Sequence, residues 1–175
     1  LGLHLHGEQR RCTVLVDDGI DPLQLAVGKF LHRDPAAAAG DHEHAFAGEP
    51  LPTLENLARF CLANGYLLNI EIKPTPGTER ETGEVVAREA ARLWQGAAIA
   101  PLLTSFQVES LKGAAATQPE LPRGLLLDTL WSGWLDTARD LGCQAIVCNH
   151  ALWDAATVAQ VHGAGLRSLS YTVND

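Results

Sequence analysis

The sequence predicts an α/β fold with a parallel sheet, on three observations. Over residues 45–175, five strand patterns alternate with helical patterns, as βαβ units do. The steps between strands are short and regular: from Glu71 to Ser105, Asp128, Asn149 and Thr172 they are 34, 23, 21 and 23 residues. Polar residues recur at the strands' C-terminal ends, where parallel α/β architectures carry their sites. Such steps suit a (β/α)8 barrel or a doubly wound sheet. No Gly-x-Gly-x-x-Gly turn follows any strand, which weighs against the dinucleotide-binding form.

Each element has a local cause. Thr53 is a plausible N-cap with Glu55 in the first turn, and Leu54, Leu57, Ala58, Phe60 and Cys61 follow helical spacing up to a stop at Gly65. A strand follows at Leu67–Lys73, then a loop with Pro74, Pro76 and Gly77. Val85, Val86, Ala90, Leu93 and Trp94 mark a helix over about Thr82–Trp94. Then come a strand at Leu102–Phe106, a helix near Val108–Ala116 and a strand at Arg123–Asp128. A helix over Trp131–Leu141 is ended by Gly142 and followed by a strand at Ala145–Asn149. The last pair is a helix at Trp153–His162, closing at Gly163 or Gly165, and a strand at Leu166–Val173.

Residues 1–44 lack this order, and the expected organisation is an atypical or disordered segment there ahead of a barrel domain over 45–175. Within 1–44 only Cys12–Val16 reads as a strand. His4, His6, His32, His42 and His44 offer no pair with both helical spacing and a helix to sit on, so they do not read as a metal site.

Composition narrows the function. Of 175 residues, 46% are apolar, which excludes a wholly disordered chain. Thirteen Lys and Arg against 21 Asp and Glu leave a charge of −8, which argues against a nucleic-acid partner. No apolar run approaches the roughly 18 residues of a membrane span, and the start has neither the cationic region nor the apolar core of a signal peptide. Cys12, Cys61, Cys143 and Cys148 have no metal-type spacing; reduced thiols in a cytoplasmic protein are expected.

The most informative strand is Asn69-Ile70-Glu71-Ile72-Lys73. Alternation puts Asn69, Glu71 and Lys73 on one face and both isoleucines on the other. In a barrel the polar face points inward, where a carboxylate and an ammonium lose water at a cost of several kcal/mol unless paired or metal-bound. The competing reading is a Glu71–Lys73 pair on an exposed edge strand. The other strands end in Thr104-Ser105-Phe106, Asp128, Asn149-His150 and Tyr171-Thr172-Val173-Asn174, side chains suited to a polar, phosphate- or sugar-like ligand.

The segments Ala45–Leu54, Asn69–Thr75, Leu102–Phe106, Glu120–Asp128 and Tyr171–Asn174 together resemble the glycerophosphodiester phosphodiesterase family, in its bacterial cytoplasmic form. The resemblance runs from about Ala45 to Asp175. It implies a partial TIM-type (β/α)8 barrel, about five parallel strands alternating with helices. It also implies a divalent cation (Mg²⁺ or Ca²⁺) at the C-terminal mouth and hydrolysis of glycerophosphodiesters to sn-glycerol 3-phosphate and an alcohol, in lipid and glycerol metabolism. On that resemblance Glu71 matches a metal-binding Glu and Lys73 a Lys that contacts the substrate phosphate. Phe106 and Tyr171 match aromatic positions at the mouth, and Asn149 and Asn174 polar positions near it. The chemistry suits these types: a cation held by carboxylates neutralises the diester anion, and Lys adds charge stabilisation as negative charge builds.

The chain also departs from that pattern. The family's His-Arg-Gly is absent; His32-Arg33-Asp34 follows no strand pattern. Nothing in residues 1–16 matches its Glu-x-Asp strand, and in Val14-Leu15-Val16-Asp17-Asp18 an Asp stands where a His-Asp pair begins. Both catalytic histidines and two of three metal carboxylates are thus missing. The expected status is a fragment of a phosphodiesterase with impaired activity, altered by a reading-frame slip upstream of about Ala45. The alternative is a non-catalytic ligand-binding relic of the same barrel. Translation of the shifted frames upstream of Ala45 is expected to give His-Arg-Gly, Glu-x-Asp and His-Asp; their absence from every frame would establish true divergence.

Overall fold

A computed structural model describes residues 11–17, 26–28 and 53–171. The elements are β1 (Arg11–Asp17), β2 (Ala26–Gly28), α1 (Leu54–Asn64), β3 (Leu67–Lys73), α2 (Glu79–Leu93), β4 (Leu102–Ser105), α3 (Val108–Thr117), β5 (Arg123–Leu127), α4 (Trp134–Asp140), β6 (Ala145–Asn149), a 3-10 turn (His150–Leu152), α5 (Ala155–Gly163) and β7 (Arg167–Tyr171). They form one seven-stranded sheet in the order β2-β1-β3-β4-β5-β6-β7. All neighbouring pairs are parallel except β1 with β2, which is antiparallel.

From β3 onward every strand lies beside its predecessor, with a helix in each connection. A doubly wound sheet reverses its order among parallel strands at a switch point; here the order reverses only at β1, and the strand on its far side, β2, is antiparallel. The five strands of residues 45–175 therefore wind in the manner of a TIM-type barrel, and β1 adds a sixth parallel strand.

The alternation predicted for β3 is present: Leu68, Ile70 and Ile72 are buried and Asn69 and Glu71 are half-buried. The isoleucine face packs with Leu54, Ala58 and Cys61 of α1, Val86 and Ala90 of α2 and Leu103 of β4. A second cluster joins Leu125 and Leu127 of β5, Ile146 and Cys148 of β6, Leu111 of α3, Trp134 and Ala138 of α4 and Val161 of α5. The intervening positions Thr104, Leu126 and Val147 are buried on the other, inner face. Gly124 fits between two of them: a Cβ there would stand 3.2 Å from Thr104 Cγ2 and 3.4 Å from Val147 Cγ2.

The caps behave largely as read. Thr53 Oγ1 accepts from Asn56 N at 3.1 Å, and Gly65 ends α1 at φ 65°, where a side chain would be strained. Several boundaries shift. The helix α4 starts at Trp134, not Trp131, because Gly133 precedes it at φ 86°. α2 begins at Glu79, three residues before Thr82. Phe106 and Asp128 fall just past their strands, and Asp154 caps α5 with Oδ1 accepting from Thr157 N at 2.7 Å. In residues 1–44 the strand read at Cys12–Val16 runs Arg11–Asp17, and β2 is a second strand where only one was expected. Three residues, Ala-Val-Gly, carry no readable alternation; pairing with β1 makes them a strand. His4, His6, His32, His42 and His44 lie outside the described residues.

Two contacts hold the helical layer at close quarters. Arg123 is buried at the N-terminal end of β5 and donates to the carbonyls of Leu121 (2.8 Å), Pro119 (3.0 Å) and Leu141 (3.2 Å), which satisfies its charge where α4 ends. α2 and α3 meet backbone to backbone, because Gly83 faces Ser110 and Gly113 faces Arg80 with no room for a Cβ. Ser110 Oγ also donates to Glu79 O at 2.9 Å. Gly83→Ala should therefore destabilise the fold by about 1–3 kcal/mol, the overpacking cost exceeding the roughly 1 kcal/mol that alanine gains in helix propensity. Denaturant unfolding checks this; a variant more stable than the parent would show that α2 and α3 do not approach so closely.

Candidate functional site

The inner face of β3 is the centre of the candidate site. β3 lies between β1 and β4, which excludes the exposed-edge reading of Glu71 and Lys73. Register places Glu71 beside Leu15 on one side and Thr104 on the other, and Lys73 beside Asp17. Below Glu71, Thr104 Oγ1 donates to Asn69 Oδ1 at 3.0 Å. On the outer side Ser105 Oγ donates to Ile72 O at 2.7 Å and accepts from Gln107 N at 3.0 Å, tying the start of α3 to the end of β3. The hydroxyls of strand β4 thus hold the strand ends in place.

Burial pushes the Glu71 carboxyl above the usual carboxylate range, and the Lys73 ammonium partly offsets this. No ion pair joins Glu71 to a cation among the described residues. Lys73 itself is exposed, so its charge is available at the mouth.

Phe106 and Tyr171, matched separately from sequence, come together. Their rings stack edge to face, with centroids 5.8 Å apart and planes at 82°. β4 and β7 are three strand spacings apart, about 14 Å on a flat sheet, so the contact requires the sheet to curl around its inner face. Tyr171 Oη donates to Leu127 O at 2.8 Å, spanning β6 to reach β5. Burial, then the nearby carboxylates of Asp128 and Glu71, push the Tyr171 phenol up. The phenol therefore senses Asp128 and Glu71 together.

The remaining predicted residues are placed differently. Asn149 is half-buried at the end of β6, and its Oδ1 accepts from Ala151 N at 3.0 Å, capping the 3-10 turn. Asn174 lies outside the described residues. Asp128 is exposed, with Thr129 Oγ1 donating to it at 3.3 Å. Sequence reading missed Leu130 and Trp131, which are exposed apolar residues on the loop after β5. The signal was Gly133: a glycine directly before the apolar pair Trp134-Leu135 marks a cap and leaves Trp131 outside the helix.

Among the described residues the donor set does not suffice for a divalent cation. Such an ion takes about six to eight oxygen ligands when it is Ca²⁺, and the described inner face offers one carboxylate, Glu71. No group of three His, Cys, Asp or Glu able to hold a metal occurs among the described residues.

Residues 11–175 match the Glycerophosphoryl diester phosphodiesterase family, so the match takes in β1 as well as the barrel elements read from sequence. No curated protein sequence matches the chain. Among solved structures it is similar to a phosphodiesterase of Oleispira antarctica in complex with the product sn-glycerol-3-phosphate (27% identity, TM-score 0.63, covering 71% of this chain and 50% of that one). It is also similar to a glycerophosphodiester phosphodiesterase of Parabacteroides distasonis (19% identity, TM-score 0.57, 73% and 54%). A protein of Galdieria sulphuraria shares the fold at 15% identity, with a TM-score of 0.67 over 90% of this chain and 70% of that one. The chain spans about half the length of the first two structures.

The raised pKa of Glu71 has a testable sign. The folded state holds this proton more tightly than the unfolded chain does. The side chain's favourable contribution is complete below the unfolded pKa, about 4.3, and is lost as pH rises through the folded value. Glu71→Gln should raise the melting temperature by about 2 °C at neutral pH and leave it unchanged in acid. A lower melting temperature for Glu71→Gln at neutral pH would show that the carboxylate has a cationic partner in the folded protein.

Proposed function

The chain belongs to the glycerophosphoryl diester phosphodiesterase family, and from that premise we propose that it carries the mouth of a site that hydrolyses glycerophosphodiesters to sn-glycerol 3-phosphate and an alcohol. The observation that carries this reading is the grouping of Glu71, Lys73 and the Phe106–Tyr171 pair at one curled end of the sheet. A similar structure binds sn-glycerol-3-phosphate as product.

In this reading Lys73 binds the phosphate and stabilises the charge that builds on its oxygens. Glu71 is one carboxylate ligand to a divalent cation, Mg²⁺ or Ca²⁺. Alone it does not make that site, and the chemistry of the described residues is phosphate binding and charge stabilisation. Phe106 and Tyr171 exclude water from one side of the diester, and Asn149 and Asn174 contribute polar contacts near it. In this reading the protein acts in lipid and glycerol metabolism. The free, buried thiols of Cys143 and Cys148 support a reducing, cytoplasmic setting. Among the described residues no helix is long and apolar enough to cross a membrane.

A second reading, ligand binding without turnover, is favoured by the single described carboxylate and by the absence of His-Arg-Gly from the sequence. One pair of measurements separates the two. Release of sn-glycerol 3-phosphate from glycerophosphocholine by the 175-residue chain is expected to be near zero. Calorimetric binding of sn-glycerol 3-phosphate is expected to persist and to weaken about tenfold in Lys73→Ala, the loss of one charge-assisted contact. Turnover at an ordinary enzymatic rate, abolished by a chelator, would remove the binding-only reading. Binding unaffected by Lys73→Ala would remove Lys73 from the site.

A further inference from the structure

The ladder between β3 and β4 stops before β3 does. Its register runs from Asn69↔Leu102 to Glu71↔Thr104, whereas Ile72 and Lys73 run on, paired with Val16 and Asp17 of β1. Leu103 N donates to Pro122 O at 2.9 Å, on the β5 side, so the amides of Thr104 and Phe106 are the ones directed at β3. The next rung of a parallel ladder would join Phe106 N to Ile72 O.

Ser105 replaces that rung. Its Oγ donates to Ile72 O at 2.7 Å and accepts from Gln107 N at 3.0 Å, which uses the hydroxyl both as donor and as acceptor. The side chain is fully buried, on the face of the sheet opposite Glu71, and so stands away from any ligand at the mouth. The peptide that joins Ile72 to Lys73 is thereby held on its β4 side by Ser105 and on its other side by β1. Phe106 is released from the ladder and turns inward, where its ring meets that of Tyr171 at 5.8 Å.

We propose that Ser105 is a positioning residue for phosphodiester binding: by taking the place of one ladder bond, its hydroxyl sets the separation between the Lys73 backbone and the Phe106 ring. The bearing on phosphodiester binding rests on the phosphodiesterase reading; the replaced rung does not. Without the hydroxyl, the Ile72 carbonyl regains a donor by drawing Phe106 N against β3. That zips the sheet by one residue, narrows the mouth on the β4 side of Lys73 and parts Phe106 from Tyr171.

The test follows the full chain by NMR and calorimetry. In the parent, the Phe106 amide is expected to exchange with solvent faster than the ladder amide of Thr104, and the rings of Phe106 and Tyr171 to show mutual NOEs. Ser105→Ala is expected to slow Phe106 exchange, to remove those NOEs and to weaken sn-glycerol 3-phosphate binding about fivefold. In a Lys73→Ala background the same change is expected to weaken binding less than it does alone, because it acts through Lys73. Gly83→Ala, which loosens the fold away from the mouth, is expected to bind as the parent does. A Phe106 amide as protected in the parent as that of Thr104 overturns the replaced rung, and this measurement stands even if Ser105→Ala fails to fold. The positioning role is overturned if Ser105→Ala keeps the NOEs and the affinity, weakens binding only as far as Gly83→Ala does, or has its full effect without Lys73. A parent chain that does not bind sn-glycerol 3-phosphate removes the phosphodiesterase reading, and the exchange and NOE data still decide the rung.

Discussion

The structure depends on one constraint: β3 seals one face against the helices and carries polar chemistry on the other. Ile70 and Ile72 have essentially no exposed surface and seal the sheet against α1 and α2. Asn69, Glu71 and Lys73 necessarily take the opposite face. A slip of one residue would drive Glu71 into the apolar layer and turn both isoleucines inward. Burying an unpaired carboxylate there costs several kcal/mol, so register is strongly specified at the strand that carries the candidate site.

Curvature turns that polar face into a mouth. The edge-to-face contact of Phe106 with Tyr171 and the Tyr171 bond to the Leu127 carbonyl both join strands that are not neighbours. They are compatible only with a sheet that curls toward its inner side. The helical layer packs closely outside that curl. The glycine contacts between α2 and α3 bring those helices closer than side chains would allow, and Arg123 gathers carbonyls where α3 and α4 end. Glu71, Asp128 and the Tyr171 phenol then share one electrostatic neighbourhood.

Much of this was legible in the sequence because it is local. The alternation in Leu67–Lys73, the Thr53 cap and the Gly65 and Gly142 stops are short-range signals, and each appears where its chemistry puts it. The errors were also local in kind. Trp131 and Leu141 fit a helical pattern, but Gly133 interrupts it, so the helix starts late and Trp131 is left in the solvent. β2 has no pattern of its own to read. Outside those differences, the candidate site residue Asn149 has its Oδ1 engaged in capping the turn that follows.

Family, strand order along the chain and the reading of Glu71, Lys73, Phe106 and Tyr171 as candidate site residues come from the sequence itself, since each rests on residue type, spacing or alternation. Which of them meet was decided by the tertiary structure alone. Phe106 and Tyr171 are 65 residues apart, a separation read directly from the numbering, and only the curl of the sheet makes them neighbours. The grouping of Asp128 with the aromatic pair, the burial that raises the Glu71 pKa and the exposure of Trp131 are likewise properties of packing. They depend on how much water and which charges surround a side chain, and spacing along a strand carries no information about either.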